Sequence, residues 1–299
     1  MVRDPRDDAK LAVGKALMLS VMIPARNERF LEQTVKDLLV NAAGEVEVIV
    51  NLDGYKPETV VDDKRVTYLY QPKPIGMRAG INACAAVAKG DYLMKSDAHC
   101  MYESGYDLKL AAECDGDWIV IPRRYRLDAT TWTRRPGRYF DYHYLICPWS
   151  QVEFTMQNTH WSARDRARKD VLLDDTMSMQ GSCWFMTAGH FHKRIGGLET
   201  EHYWGWEQEP QEIGCKTWLS GGRVVLNKQV WYAHLHKGRL WGRMYHMDWG
   251  KVMDGHRYAT LYWLRNSWPG QVRRFEWLIE HFWPIPTWPQ NWRELMAEL

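Results

Sequence analysis

Asp97 and His99, separated by Ala98, are the residues of this chain best suited to chemistry. They follow residues 90–96, a short β-favouring run. Two positions apart at a strand end, their side chains leave the same side of the backbone. A carboxylate oxygen beside an imidazole nitrogen suits a divalent first-row ion such as Mn²⁺, and such an ion can clamp a diphosphate. The same tripeptide also reads as a plain turn or cap, because aspartate is a common turn former.

The surrounding elements decide which reading has support. Residues 17–24 predict a buried strand ending at Pro24. Asn27 and Glu28 then open a helix over 30–42, with Leu31, Val35, Leu38 and Leu39 at helical spacing. Strands over 46–52, 66–70 and 92–96 alternate with that helix and with an alanine-rich one over 76–88. The expected class is α/β, a mostly parallel central sheet flanked by helices with right-handed crossovers. Ligands of such sheets sit outside the carboxyl ends of the strands. Pro24-Ala25-Arg26-Asn27-Glu28, Asp53-Gly54 and Asp97-Ala98-His99 all fall at that edge.

The second half is less regular. It predicts a strand over 117–122, an arginine-rich stretch over 123–138, a helix over 213–219 broken at Gly221-Gly222, and a strand over 223–233 ending at His234. The tail is helical from Trp241 and then rich in Pro and Trp. With no repeat and no separating linker, we expect one unit over 1–239, with halves 17–122 and 123–239, and a helical extension over 240–299. The 17 Trp are too many to bury completely, so some line a groove or stack on a ligand, unless they simply fill a C-terminal core.

An apolar fraction of 45% allows a sizeable core and argues against disorder. A net charge of +2 neither demands nor excludes nucleic acid. The six cysteines stand singly, with no Cys-X-X-Cys pair, which disfavours structural zinc. Residues 1–15 are highly charged and no apolar run reaches ~18 residues, so no signal peptide or membrane span is expected. A reduced, cytoplasmic protein fits these features best.

Ser20-Val21-Met22-Ile23-Pro24-Ala25-Arg26-Asn27-Glu28 resembles the opening of family-2-type glycosyltransferases of the GT-A, Rossmann-like fold. Asp53 matches their acidic residue that meets the nucleotide base, and the segment around Arg78 is similar to their helix facing the diphosphate. Asp97-Ala98-His99-Cys100 looks closer to the polypeptide N-acetylgalactosaminyltransferases, which carry Asp-X-His where most relatives carry Asp-X-Asp. Trp206-Glu207-Gln208-Glu209-Pro210 through Gly221-Gly222 resembles a block of that branch with the same spacing, and Val230-Trp231-Tyr232-Ala233-His234 its third-ligand segment. The resemblance covers about residues 17–237. It implies a UDP-sugar donor with Mn²⁺ (or Mg²⁺), metal ligands Asp97, His99 and His234, and donor contacts from Pro24, Ala25, Arg26, Glu28, Asp53, Arg78 and Asp97. Trp206 and Glu209 are its catalytic candidates. Each histidine, arginine and glutamate here also has a bland reading as a strand-end, solvated or helix-terminal residue.

Two departures matter. Glu207 and Gln208 replace two glycines of the family block, which predicts different substrate access. Pro210 stands where inverting relatives carry a basic Asp, which favours retention, with the departing phosphate helping to deprotonate the acceptor. Glu209 remains a candidate base or hydroxyl ligand.

For the acceptor, residues 123–138 carry six arginines against one acid, Asp128. Arg123, Arg124, Arg126, Arg134 and Arg135 with Trp132 suit a nucleic-acid backbone or a flipped base. Arg164, Arg166, Arg168 and Lys169 form a second basic cluster. Some bacteriophage glycosyltransferases modify hydroxymethylated pyrimidines in DNA, and that acceptor is the leading expectation. A protein Ser/Thr hydroxyl or a glycan is the alternative, and an inactive sugar-nucleotide- or DNA-binding module the alternative class. Arg239 and Tyr245 read either as part of a lid or as ordinary packing.

Overall fold

A computed structural model describes residues 17–299, so the charged opening segment lies outside the described residues. The first half builds β1 (Met18–Ala25), α1 (Leu31–Asn41), β2 (Glu45–Asp53), β3 (Val66–Gln71), α2 (Met77–Val87), β4 (Tyr92–Ser96), β5 (Cys100–Tyr102) and α3 (Tyr106–Ala111). β1 and β2 are buried along nearly their whole length, as strands covered on both faces must be, which is why they read as continuous apolar runs. α1 buries Leu31, Thr34, Val35, Leu38 and Leu39 on one stripe.

The second half adds β6 (Trp118–Asp128), β7 (Thr133–Phe140), β8 (His143–Leu145), β9 (Asn158–His160), α4 (Ser162–Ala167), β10 (Leu173–Asp175) and β11 (Cys183–Thr187). These precede α5 (Glu209–Leu219), β12 (Arg223–His234) and α6 (Gly238–Trp241). The expected strand over 117–122 thus continues through the arginine-rich stretch, which forms a hairpin of β6 and β7. The helix expected over 213–219 starts four residues earlier, with Gln208 in the left-handed region and Pro210 in its first turn. Proline is tolerated there because the first-turn amides have no helical partner.

One sheet has the order β10-β12-β6-β11-β4-β1-β2-β3, with β5 beside β12 and β7 beside β6. β3, β2, β1 and β4 are parallel, as are β6 and β12. β11 runs antiparallel between the two groups. A register shift between Asn227 and Trp231 lets β12 continue against Arg123–Arg126, setting Tyr232 opposite Arg124 and His234 opposite Arg126.

The tail forms α7 (Trp249–Leu264), α8 (Phe275–Phe282) and α9 (Trp292–Ala297). Its tryptophans divide. Trp263, Trp268, Trp288 and Trp292 are buried in the same apolar cluster as Trp184 and Trp218, so most of the tail is core that covers one face of the sheet. Trp288 still satisfies its indole by donating to the Leu145 carbonyl at 2.8 Å. Trp249 is exposed.

Candidate active site

The carboxyl edge of the sheet opens into a cavity of about 650 Å³. β4 ends in Lys95 and Ser96 and releases Asp97 into it. β5 pairs antiparallel with the end of β12, setting Cys100 opposite His234. Residues 137 positions apart therefore meet: His234 Nε2 lies 3.1 Å from Asp97 Oδ2, and His99 Nε2 lies 3.7 Å from the same oxygen. All three side chains offer a ligand atom within 4.8 Å of the others. The imidazole rings of His99 and His234 are 4.9 Å apart, centre to centre.

Neighbouring charges orient these ligands. His99 Nδ1 is 3.3 Å from Glu28 Oε2, and Lys237 Nζ donates to both Glu28 oxygens at 2.7 and 2.8 Å. A carboxylate behind a histidine fixes which ring nitrogen faces the metal. Lys95, 1% exposed, donates to Asp97 Oδ1 and to the Gly181 carbonyl, which leaves Oδ2 to the histidines. Burial opposes ionisation of Asp97, but Lys95 and the two histidines outweigh it and hold the carboxyl well below its usual range. Burial pushes His234 down to about 3, so its imidazole is neutral, as a metal ligand requires. His234 Nδ1 is buried with no hydrogen-bond partner among the described residues. One carboxylate and two imidazoles are a donor set that Mn²⁺ and its neighbours accept.

Glu209 faces the same cavity from the first turn of α5. It is 1% exposed, and Trp184 Nε1 donates to its Oε1 at 2.5 Å. Burial raises its carboxyl to about 7, against the opposing pull of Lys95 and the Trp184 hydrogen bond. A carboxyl poised near neutrality can exchange a proton with a hydroxyl. Trp206 also lines the cavity, with its indole nitrogen 3.3 Å from Met247 Sδ.

Residues 20–193 match the pattern described as glycosyl transferase family 2. The chain belongs to that family. No curated protein matches this glycosyl transferase family 2 chain in sequence. Among solved structures, a crystal structure of GalNAc-T7 with UDP, GalNAc and Mn2+ is similar at a TM-score of 0.69 and 18% identity. The alignment covers 90% of this family-2 chain and 57% of that one. At that identity the likeness establishes a shared fold, the mixed α/β arrangement of the GT-A type, and the family-2 chain spans little more than half of GalNAc-T7.

Pro24, Ala25, Arg26, Glu28, Asp53, Asp97, His99 and His234 all line the cavity. Asp53 is also bound to its own fold, since its carboxylate accepts from the amides of Ile75 and Gly76 at the start of α2. Arg78 does not reach the cavity. It is 2% exposed, ion-paired with Glu212, donates to the Glu199 carbonyl at 2.8 Å and stacks on Tyr203 at 3.7 Å. Its charge ties α2 to α5, away from the cavity that the other expected donor residues line. Of the replaced glycines, Glu207 turns away and accepts from the Trp204 amide. Gln208 stays at the cavity and donates to His256 Nδ1 at 2.8 Å.

The arginine-rich residues are not equivalent. Arg123 is engaged by Asp141 at 2.7 Å, and Trp132 donates to Asp37 at 3.2 Å, so both hold the fold. Arg124 is buried. Arg126 lies near the Phe140 ring. Arg134 stacks on Tyr125 and Trp231 at 4.5 and 4.6 Å on exposed β7. Arg135 is exposed, beside Asp128 at 3.3 Å. In the second cluster, Arg168 pairs with Asp174. Tyr245 lines the cavity beneath Arg26, 5.1 Å from its ring, while the Arg239 side chain lies outside the described residues.

Sequence reasoning gave no role to Lys95, Lys237 or Trp184. Lys95 had a signal: a lone charge inside a buried strand two residues before Asp97. Lys237 and Trp184 had none, since their partners are 209 and 25 positions away.

Proposed function

We propose that this chain is a metal-dependent transferase moving a sugar from a UDP-sugar to a hydroxyl acceptor. The carrying observation is the convergence of Asp97 Oδ2, His99 Nε2 and His234 Nε2 at the sheet's carboxyl edge, beside the buried carboxyl of Glu209. The UDP and Mn2+ named with GalNAc-T7 support the same donor and metal. Asp97, His99 and His234 would hold Mn²⁺ (or Mg²⁺), which when bound offsets negative charge on a leaving diphosphate. Residues 17–122 would supply the nucleotide side and 123–239 the acceptor side.

The chain's own residues do the rest. Glu28 and Lys237 keep His99 oriented, and Lys95 keeps one oxygen of Asp97 facing the histidines. Asp53 and Trp206 line the cavity, and Asp53 would meet the nucleotide. Transfer breaks the anomeric carbon–oxygen bond to the diphosphate and forms one to the acceptor oxygen. Pro210 offers no base, so we assign retention, with the acceptor proton passing to a phosphate oxygen and Glu209 held against the acceptor hydroxyl.

The favoured acceptor is a hydroxymethylated pyrimidine in DNA, in a phage-infected or bacterial cytoplasm. Exposed Arg134 and Arg135 on the β6–β7 hairpin, with Tyr125 and Trp231 beneath Arg134, suit a phosphate backbone. All six cysteines are unpaired, which fits a reducing compartment. No helix among the described residues is long and apolar enough to cross a membrane. The test incubates the chain with UDP-sugars and Mn²⁺ on hydroxymethylated DNA, unmodified DNA and Ser/Thr peptides, read by mass. A gain on hydroxymethylated DNA alone, with retained anomeric configuration by NMR, is expected. A gain on peptide alone overturns the DNA acceptor, and an inverted product overturns retention.

A further inference from the structure

Helix α7 contributes one side chain to the cavity wall. His256 lines the cavity and is 7% exposed. Gly255 beside it allows the close approach, since a Cβ there would lie 2.9 Å from Glu207 Oε1. One turn on, the Thr260 hydroxyl donates to the His256 carbonyl at 2.7 Å and accepts from the Met156 amide at 2.8 Å. The Met156 carbonyl in turn accepts from Gln208 Nε2 at 3.1 Å. His256 is thereby fixed between α7, the segment at Met156 and the start of α5.

The hydrogen bonds also decide where the ring carries its proton. Gln208 Nε2 has two hydrogens and two acceptors, the Met156 carbonyl and His256 Nδ1 at 2.8 Å. Turned over, the amide would set its oxygen against the Met156 carbonyl oxygen, which has no hydrogen to give. Nδ1 is therefore the bare nitrogen and the proton sits on Nε2. Burial lowers His256 to about 4, so the ring is neutral. Nε2 has no hydrogen-bond partner among the described residues, yet it is not one of their buried unpartnered atoms, so its N–H opens to the cavity that His256 lines. The wall contributed by the same segments carries amides: Gln208 and, one turn along α5, Gln211, with Gln157 and Asn158 following Met156. A neutral donor among amides suits an uncharged, oxygen-rich group.

We propose that His256 Nε2–H is a specificity-determining donor to one oxygen, a hydroxyl or a carbonyl, of the sugar that is transferred. Gln208, which holds the ring, directly precedes Glu209 in the sequence. None of the residues holding the ring belongs to 17–122, the half that would take the nucleotide. A sugar lacking that oxygen leaves the N–H unpaired and is rejected. Naming the ligand a sugar rests on the transferase reading, whereas the direction of the N–H does not.

Two measurements on the full chain test it. Long-range proton–nitrogen NMR of His256, assigned by its loss in His256→Asn, should show a neutral ring with the proton on Nε2 near neutral pH. Calorimetry with Mn²⁺ then compares UDP with a panel of UDP-sugars. An asparagine amide reaches only as far as Nδ1 and a glutamine amide as far as Nε2. His256→Asn should therefore weaken the best UDP-sugar about tenfold and leave UDP within about twofold, and His256→Gln should recover most of the loss. His256→Phe, which keeps the ring and loses both nitrogens, carries the comparison if His256→Asn does not fold. Deoxy analogues of that sugar locate the oxygen: the one that costs the wild type affinity should cost His256→Asn nothing further. A proton on Nδ1, or unchanged UDP-sugar affinity in a folded variant, overturns the proposal. Equal losses for UDP and UDP-sugar mean a structural role only and overturn it too. A raised KM for the acceptor with unchanged UDP-sugar affinity overturns the assignment to the sugar, as does a panel in which no UDP-sugar binds. Binding that His256→Asn weakens as expected, without transfer to any acceptor, would strike the transferase reading and leave the sugar contact standing.

Discussion

An alanine at position 181 would place its methyl carbon 2.1 Å from Glu209 Oε2 and 3.3 Å from Pro210 Cδ. Carbon and oxygen need more than 3 Å, so Glu209 must retreat by ~1 Å, and a displacement of that size at a reacting centre costs about 10²-fold in rate. The retreat also breaks the 2.5 Å bond from Trp184, leaving a buried carboxylate short of a donor at a cost of about 1–3 kcal/mol. Gly181→Ala should therefore lower kcat for sugar transfer about 100-fold, equivalent to ~2.7 kcal/mol of barrier, with a modest fall in Tm. Gly214→Ala is the matched control. It lies on the same helix as Glu209, and a Cβ there meets nothing within 4 Å. That change should stabilise by about 0.5–1 kcal/mol and leave kcat alone. A Gly181→Ala enzyme within threefold of wild type would refute the placement of Glu209 at the reacting centre.

Other perturbations address other parts of the account. Arg78→Met takes from Glu212 the partner of its Oε2 and leaves Lys216 at 2.6 Å and the Glu199 amide at 3.1 Å on Oε1; urea unfolding should show a loss of about 3 kcal/mol, and a loss under 1 would contradict the structural role given to Arg78. Burial lowers His190 to about 4, so the unfolded chain binds its proton first. That contribution is complete above about pH 6.5 and is lost as pH falls toward 4, up to ~3 kcal/mol. His190→Gln should flatten this acid limb of a Tm–pH curve, and an unchanged limb would count against it. Arg135→Gln should reduce the slope of log affinity for DNA against log salt by about 1; an unchanged slope would remove this hairpin residue from the backbone contact.

The parallel half of the sheet was legible because β1, β2 and β4 are covered on both faces and spell apolar runs. The candidate site was legible where its lining sits at strand ends, as Asp53, Asp97 and His234 do. The β6–β7 hairpin was hidden because six residues of β7, Thr133 to Arg138, are exposed and supply no apolar alternation. The ion pair of Arg78 was not legible, because helix position does not say which side chain will meet it. That is decided by Glu212, 134 positions later. The tryptophan tail gave its helices by composition, but only tertiary packing separates buried Trp263 and Trp292 from exposed Trp249.

The central claim is that Asp97, His99 and His234 form a metal centre serving a UDP-sugar. The most direct measurement is UDP release from a panel of UDP-sugars by the wild type and His234→Ala, with Mn²⁺ and with EDTA. The account predicts slow release by the wild type that requires Mn²⁺, and none above background from His234→Ala, whose folded state is checked by circular dichroism. Release that persists in EDTA, or at the wild-type rate in folded His234→Ala, would contradict it.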